Sequence, residues 1–340
     1  MENAAEMNIE RTCAYCLTVG TNGKVKVCAG CRRRAYCSKE CQQADWFSGQ
    51  MHRKWCELGC GEEDLDWKVA PIPGKGLGLI AKRLIPAKFQ IMVDAIRSEK
   101  HPRVQDLMPL NGSTKDKVAF NGLADRFGNT VLCLRIALAN HDCHANADHN
   151  HDEGTRVKVL FAVRDIQMGE EICINYARLD DPDNPRSPYR TRAILEGKWG
   201  IRCPENCYCW NKNVLKLLTE ARELDASIPH LAATGRVSEA METVEKLLKI
   251  RESMQASFIL MKRTFYDGFT VGILQKKTME QGQEYIRRAF EISANIVSNP
   301  DSPQSLKYEK YMKDPSKHPS FLMEEPNPTE DEPSRFRPIL

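Results

Sequence analysis

Cysteine is spaced along this chain in a way that leaves few folds open. Of fourteen, seven stand before residue 57, and with one histidine they make four close pairs: Cys13-x2-Cys16, Cys28-x2-Cys31, Cys37-x3-Cys41 and His52-x3-Cys56. A Cys-x2-Cys knuckle turns two thiolates toward one point, and an i,i+4 spacing sets both ligands on one face of a helix. Eight ligands suffice for two tetrahedral zinc ions. Apolar residues are scarce between 11 and 60, so metal rather than a core would supply most of the folding energy there. The opening Met1-Glu2-Asn3-Ala4-Ala5-Glu6 has neither a basic start nor an apolar run, which reads as no secretory signal. Without an export route, zinc explains these thiols better than disulfides do. Cys60 is left over, a candidate free thiol.

At 340 residues and 41% hydrophobic content the chain has room for two or three domains. A net charge of +3 is too mild to demand nucleic acid. No uninterrupted apolar run is long enough to span a membrane. The composition is that of a soluble globular protein, and a monomer in the cytosol, the nucleus or both is expected.

A second constellation lies from Asn140 to Tyr176. It opens with Asn140-His141-Asp142-Cys143-His144-Ala145-Asn146 and closes with Gly169-Glu170-Glu171-Ile172-Cys173-Ile174-Asn175-Tyr176. Between them a polar stretch reads as a solvated loop, its His144, His149 and His151 too irregularly spaced for a metal. Val157 to Val163 then reads as a buried strand, and Val131 to Ala139 as a buried helix running into Asn140. Upstream, Gly74, Gly76 and Gly78 would let a ligand approach the backbone closely. Their spacing is not that of a dinucleotide fingerprint. Downstream, Cys203-x3-Cys207-x-Cys209 puts three thiols within seven residues.

In this order the phrases resemble a SET domain, with Asp142 and Ala145 where that family usually has serine and proline. The N-terminal pairs, with Tyr36-Cys37-Ser38-Lys39-Glu40-Cys41-Gln42 and Asp45-Trp46, resemble a MYND zinc finger. In the best known proteins that combine the two, the finger interrupts the SET domain; here it precedes it. The resemblance implies an α+β chain: finger at 11–60, SET β-fold with its pseudoknot at 64–202 and a variable insert at about 82–120, and a post-SET segment at 203–210. It also implies interleaved zinc ligation, with Cys13, Cys16, Cys37 and Cys41 at one ion and Cys28, Cys31, His52 and Cys56 at another. Cys143 would join Cys203, Cys207 and Cys209 at a third, although the family spaces its last three cysteines differently.

The same resemblance implies an S-adenosylmethionine-dependent methyltransferase acting on a protein lysine, histone or other. Lys75, Gly76, Leu77, Gly78, Asn140, His141 and Tyr176 would surround the cofactor, and Tyr176 would present its hydroxyl beside the reactive methyl. Asn175 would brace the threaded loop. Asp142 would either face the substrate channel or bond to the loop backbone. Trp199 and Ile201 stand where the family commonly has tyrosine and phenylalanine in the channel wall. Trp199 offers a ring face to a methylammonium but no hydroxyl, which keeps a small-molecule or other non-lysine acceptor open beside lysine. An inactive adaptor is a third reading. For the finger, proline-rich peptide binding, a purely structural role, and nucleic-acid contact through a segment with nine Lys/Arg against two Asp/Glu are all open.

From Val214 the pattern turns helical. Leu215, Leu217, Leu218, Ala221 and Leu224 make one apolar stripe, and Ala240, Val244, Leu247 and Leu248 another. Ser257 to Leu274 and Tyr285 to Val297 are two further helix candidates. Gly235-Arg236-x-x-Glu239-Ala240 resembles the opening of a tetratricopeptide hairpin, so a helical array is expected over 211–315. Residues 316–340, acidic and proline-containing, read as a disordered tail.

Overall fold

The computed structural model describes residues 11–20, 25–47, 52–101, 104–105, 107, 111–124, 129–152, 154–178 and 187–323. Most of the expected acidic tail, 324–340, lies outside the described residues. The chain forms two compact units. One comprises residues up to 177 with 194–201 and 295–302, and the other 178–193, 202–294 and 303 onward.

In the first unit the finger is built from two minimal ladders, Arg11–Thr12 with Val19–Gly20 and Lys26–Val27 with Ala35–Tyr36. Helix α1 (Lys39–Phe47) and two short 3-10 turns, His52–Lys54 and Cys56–Leu58, complete it. The rest of the unit is built mainly on two small sheets, with a further minimal ladder of Leu123–Ala124 and Thr130–Val131. Strands β1 (Trp67–Ile72), β2 (Gly76–Ala81), β4 (Asn140–His141) and β7 (Glu171–Ile174) form one, in the order β4-β7-β2-β1. Its only parallel pair is β4 with β7. Strands β3 (Gln90–Ala95), β5 (Ala147–Asp152) and β6 (Val157–Ala162) form the other, in the antiparallel order β5-β6-β3. Trp67, Leu79, Met92, Leu160 and Ile172 close a shared core.

Three sequence expectations change here. The stretch beginning at 82 is not all insert, because β3 is buried at every position. Gln90 and Asp94, which break its apolar pattern, both have buried partners. Gln90 Nε2 donates to the carbonyls of Ser298 (2.6 Å) and Ile296 (3.2 Å). Asp94 accepts the amides of Arg135 (2.7 Å) and Ile136 (3.1 Å). Those same bonds, with Arg97 N donating to Leu132 O, overturn the helix expected over Val131 to Ala139. They take up backbone groups that a helix would need, and only a 3-10 turn, Ile136–Leu138, remains. Finally, the polar stretch after Cys143 is not a loop. Residues 147–152 are β5, whose Asn150 and Asp152 bond to the 297–299 segment in place of water.

Helix α2 (Thr114–Asn121) starts in a reciprocal capping box between Ser113 and Asp116. Helix α3 (Pro188–Trp199) follows β7 in the chain. In the second unit α4 (Lys212–Ala233), α5 (Val237–Ser253), α6 (Phe258–Gly272), α7 (Met279–Ile292) and α8 (Pro303–Lys313) pack each on the next. A Cβ on Gly272 would stand 2.6 Å from Gly282 Cα, so bare backbone is what lets α6 and α7 touch. Among the described residues no helix is long and apolar enough to cross a membrane.

Candidate active site and zinc centres

Strand β7 brings together three segments far apart in sequence. Its residues Cys173 and Ile174 pair with Asn140 and His141 on one side, and Glu171 and Ile172 with Ile80 and Leu79 on the other. The chain beyond β7 is then tied to the Asn-His loop: Asn175 Nδ2 donates to Cys143 O (3.2 Å) and Tyr176 N to His141 Nδ1 (3.1 Å). Because Nδ1 accepts, the neutral imidazole carries its proton on Nε2, which lies 3.2 Å from Cys143 Sγ. Burial pushes the His141 pKa down to about 4 and keeps the ring neutral. Both ring nitrogens are thus used within the chain, and a ligand contact at His141 falls to its backbone.

Tyr176 is half-buried, and its hydroxyl donates to Ala139 O (2.8 Å). Burial first, then the neighbouring Cys173 and the Glu171 carboxylate, push its pKa up, so the phenol stays protonated. Its ring packs between His141 (centroids 5.3 Å) and Trp199 (4.9 Å). Trp199 is fixed in turn by its Nε1, which donates to Phe120 O (2.9 Å), and Lys198 Nζ lies 4.3 Å from its ring centre.

Beside this aromatic row runs the glycine strand. Gly76 has φ of +82° and a Cβ there would meet nothing within 4 Å, so its backbone borders open space. At Gly78 a Cβ would come within 2.7 Å of Asn140 Nδ2. Asn140 Nδ2 itself donates to Leu77 O (3.1 Å) and Glu171 Oε1 (2.8 Å), and Lys75 Nζ to Glu171 Oε2 (2.7 Å). The residues expected around a cofactor therefore lie on or next to neighbouring strands of one sheet, with open backbone at Gly76.

Three sets of four donors converge elsewhere: Cys13, Cys16, Cys37 and Cys41; Cys28, Cys31, His52 and Cys56; Cys143, Cys203, Cys207 and Cys209. Within each set the donor atoms all lie within 4.8 Å of one another. A zinc held by thiolates in a tetrahedron needs sulfur–sulfur edges of about 3.8 Å. The observed edges are 3.8 Å for Cys28–Cys56, and 3.5 Å for both Cys16–Cys37 and Cys37–Cys41. Cys31 Sγ to His52 Nε2 is 3.4 Å. The donor sets fit zinc.

A SET-domain profile matches residues 76–177 and a MYND-finger profile residues 13–56. The chain carries a SET domain and, ahead of it, a MYND finger. It is similar to Histone-lysine N-methyltransferase set5 of Schizosaccharomyces pombe, 23% identical over 74% of this chain and 85% of that protein. SET domain-containing protein 14 of Caenorhabditis elegans is 43% identical over 41% of this chain and 38% of its own length. SET domain and MYND-type zinc finger protein 6 of S. pombe is 25% identical over 62% and 45%. The chain thus spans less than half the length of the latter two. A SET domain implies S-adenosylmethionine as the cofactor and methyl transfer as the enzyme class, and the three donor sets are consistent with structural zinc sites.

Around this SET domain, Asp142 is exposed and its Oδ1 accepts from His144 N (2.7 Å), a turn-forming use of the side chain. Ile201 is half-buried, its amide on Leu195 O. Cys60 is no ligand: it donates to Gln90 Oε1 (2.8 Å), and burial pushes its pKa up to about 12. Sequence reasoning missed Glu171, which ties Lys75 to Asn140, and Asn146, whose Oδ1 accepts from Cys173 N (2.9 Å) and whose Nδ2 donates to Glu170 Oε1 (2.9 Å). It also missed Asp94, which shapes the turn ahead of Ala139. Glu171 and Asn146 stood within the quoted motifs; Asp94 gave no signal short of the fold.

Proposed function

We propose that the protein transfers a methyl group to the ε-amine of a lysine in another protein, with Tyr176 at the point of transfer. The observation that carries this reading is the setting of Tyr176. Its phenol is protonated, tied to Ala139 O, flanked by two rings, and one strand away from the open backbone of Gly76. Lys75, Gly76, Leu77, Gly78, Asn140 and the backbone of His141 would hold S-adenosylmethionine. When bound, the cofactor supplies an electrophilic methyl on a sulfonium.

The remaining work falls to this chain's own groups. The oxygens of Tyr176 and Ala139 set two partial negative charges side by side, suited to a cationic reaction centre. The rings of Tyr176 and Trp199 exclude water and offer faces that attract an alkylammonium. A lysine stem entering such a wall is desolvated, which lowers its pKa and frees the amine without a carboxylate base. Similarity to a histone-lysine methyltransferase over most of that protein's length supports lysine as the acceptor.

Incubation with a labelled methyl donor and a fractionated extract tests the reading. Label is expected on lysines of protein fractions. Label confined to small-molecule fractions would replace lysine with another acceptor, the alternative raised by Trp199 and Ile201.

A further inference from the structure

Nothing in a zinc finger's ligand spacing says which nitrogen of a histidine meets the metal, or what holds the ring. In the Cys28, Cys31, His52, Cys56 set both answers are built in. His52 is 3% exposed, and its Nε2 is the atom that faces Cys31. Its other nitrogen, Nδ1, meets the hydroxyl of Tyr36 at 2.5 Å. That hydroxyl donates to Asp45 Oδ2 at 2.8 Å. The tyrosine proton is given to Asp45, so the phenolic oxygen is left to accept from His52 Nδ1–H. The bare nitrogen is then Nε2, the one aimed at the thiols.

Asp45 is 0% exposed and is not left as a lone buried charge. Arg34, 2% exposed, approaches it through NH1 (3.4 Å), pairs with Glu62 through Nε (3.0 Å), and donates through NH2 to Val93 O (3.3 Å) in β3. The line of contacts therefore runs from a metal ligand to a core strand of the SET domain, inside one compact unit. Arg33 is likewise turned inward: it pairs with Asp66 and donates to Cys60 O (3.0 Å). Two of the nine Lys/Arg that make the finger basic are therefore used within the protein.

The geometry points to Tyr36 and Asp45 as positioning residues of the second zinc site: they select the His52 tautomer and aim Nε2 at the metal, while Arg34 anchors them to strand β3. Their role is to hold a ligand, and neither touches the ion. The inference rests on the zinc reading of this donor set and is independent of which acceptor the SET domain methylates.

The test uses the zinc-loaded full chain and a chromogenic chelator, with zinc release followed over time. Tyr36→Phe is expected to speed loss of one of the three zincs by about 10–100-fold and to leave the other two unchanged. In the cobalt-substituted protein the same variant should shift the absorption bands of the Cys3His site alone. Unchanged release of all the zincs, or equal acceleration of all of them, would overturn the assignment. Should Tyr36→Phe not fold, 15N-histidine spectra of the wild-type zinc protein decide the matter: His52 protonated at Nδ1 and metallated at Nε2 supports it, and the reverse tautomer refutes it.

Discussion

Removing a single oxygen at Tyr176 separates binding from chemistry. Tyr176→Phe keeps the ring between His141 and Trp199 but loses the bond to Ala139 O. We expect a fall in kcat on the order of 10²-fold, the scale seen when one preorganised polar group is deleted. Calorimetry should find cofactor affinity nearly unchanged. The two strand glycines behave differently from each other. An alanine methyl at Gly78 would meet Ile72 Cγ1 at 2.5 Å and Asn140 Nδ2 at 2.7 Å. Overpacking of that kind costs about 1–3 kcal/mol. Gly78→Ala should therefore lower Tm and weaken cofactor binding by displacing Asn140. At Gly76 space is free and only the left-handed backbone is penalised, by about 1–2 kcal/mol. The motif letters made both glycines visible in the sequence. Which of them faces open space and which packs under a side chain could not be read there, because that depends on what the neighbouring strand carries.

Among the elements, the polar strand β5 shows why composition misled. Asp152 is 1% exposed, and its carboxylate accepts from Ser298 Oγ, Asn299 Nδ2 (3.0 Å), Thr155 Oγ1 (2.5 Å) and Gly154 N (3.1 Å). Asp152→Ala would leave these buried donors unsatisfied at about 1–3 kcal/mol each before relaxation. A drop in stability of at least about 3 kcal/mol in urea unfolding is the expected result. A change below 1 kcal/mol would mean water replaces the carboxylate. In the helical unit, His318 is enclosed by Tyr266, Phe269 and Tyr311, and burial pushes its pKa down to about 4. Its unfolded value is near 6.5, so between those limits the unfolded chain binds the extra proton. Stability from this group is complete above pH about 6.5 and is lost as pH falls toward 4. Tm of wild type should decline across that window more steeply than Tm of His318→Gln. Parallel curves would exclude the histidine as the cause.

For the whole molecule, metal and hydrophobic core divide the labour. The finger has little core besides its ligands, and a chelator should unfold it. Since the finger and the SET sheets belong to one compact unit, the melting transition of that unit should fall with it, together with methyl transfer. The helical unit holds a core of its own, so far-UV circular dichroism should keep most of its helical signal after chelation. Loss of helix in step with zinc would contradict this division.

The sequence by itself determined the metal-ligand sets and the two domain types, since both are written in short-range spacing: paired ligands three or four residues apart, an Asn-His loop, a Glu-Glu strand ending in tyrosine. Helices α4 to α7 were legible for the same reason, a local 3.6-residue period. Only the tertiary structure decided that Val131 to Ala139 is no helix, that a histidine-rich stretch is a strand, and that Arg33 and Arg34 point inward. In each case buried polar groups of another segment (Asp94, Val297 to Asn299, Asp66 with Asp45) satisfy groups that local rules assign to a helix or to water. Partners of that kind are set by where the chain returns, and no window of residues contains them.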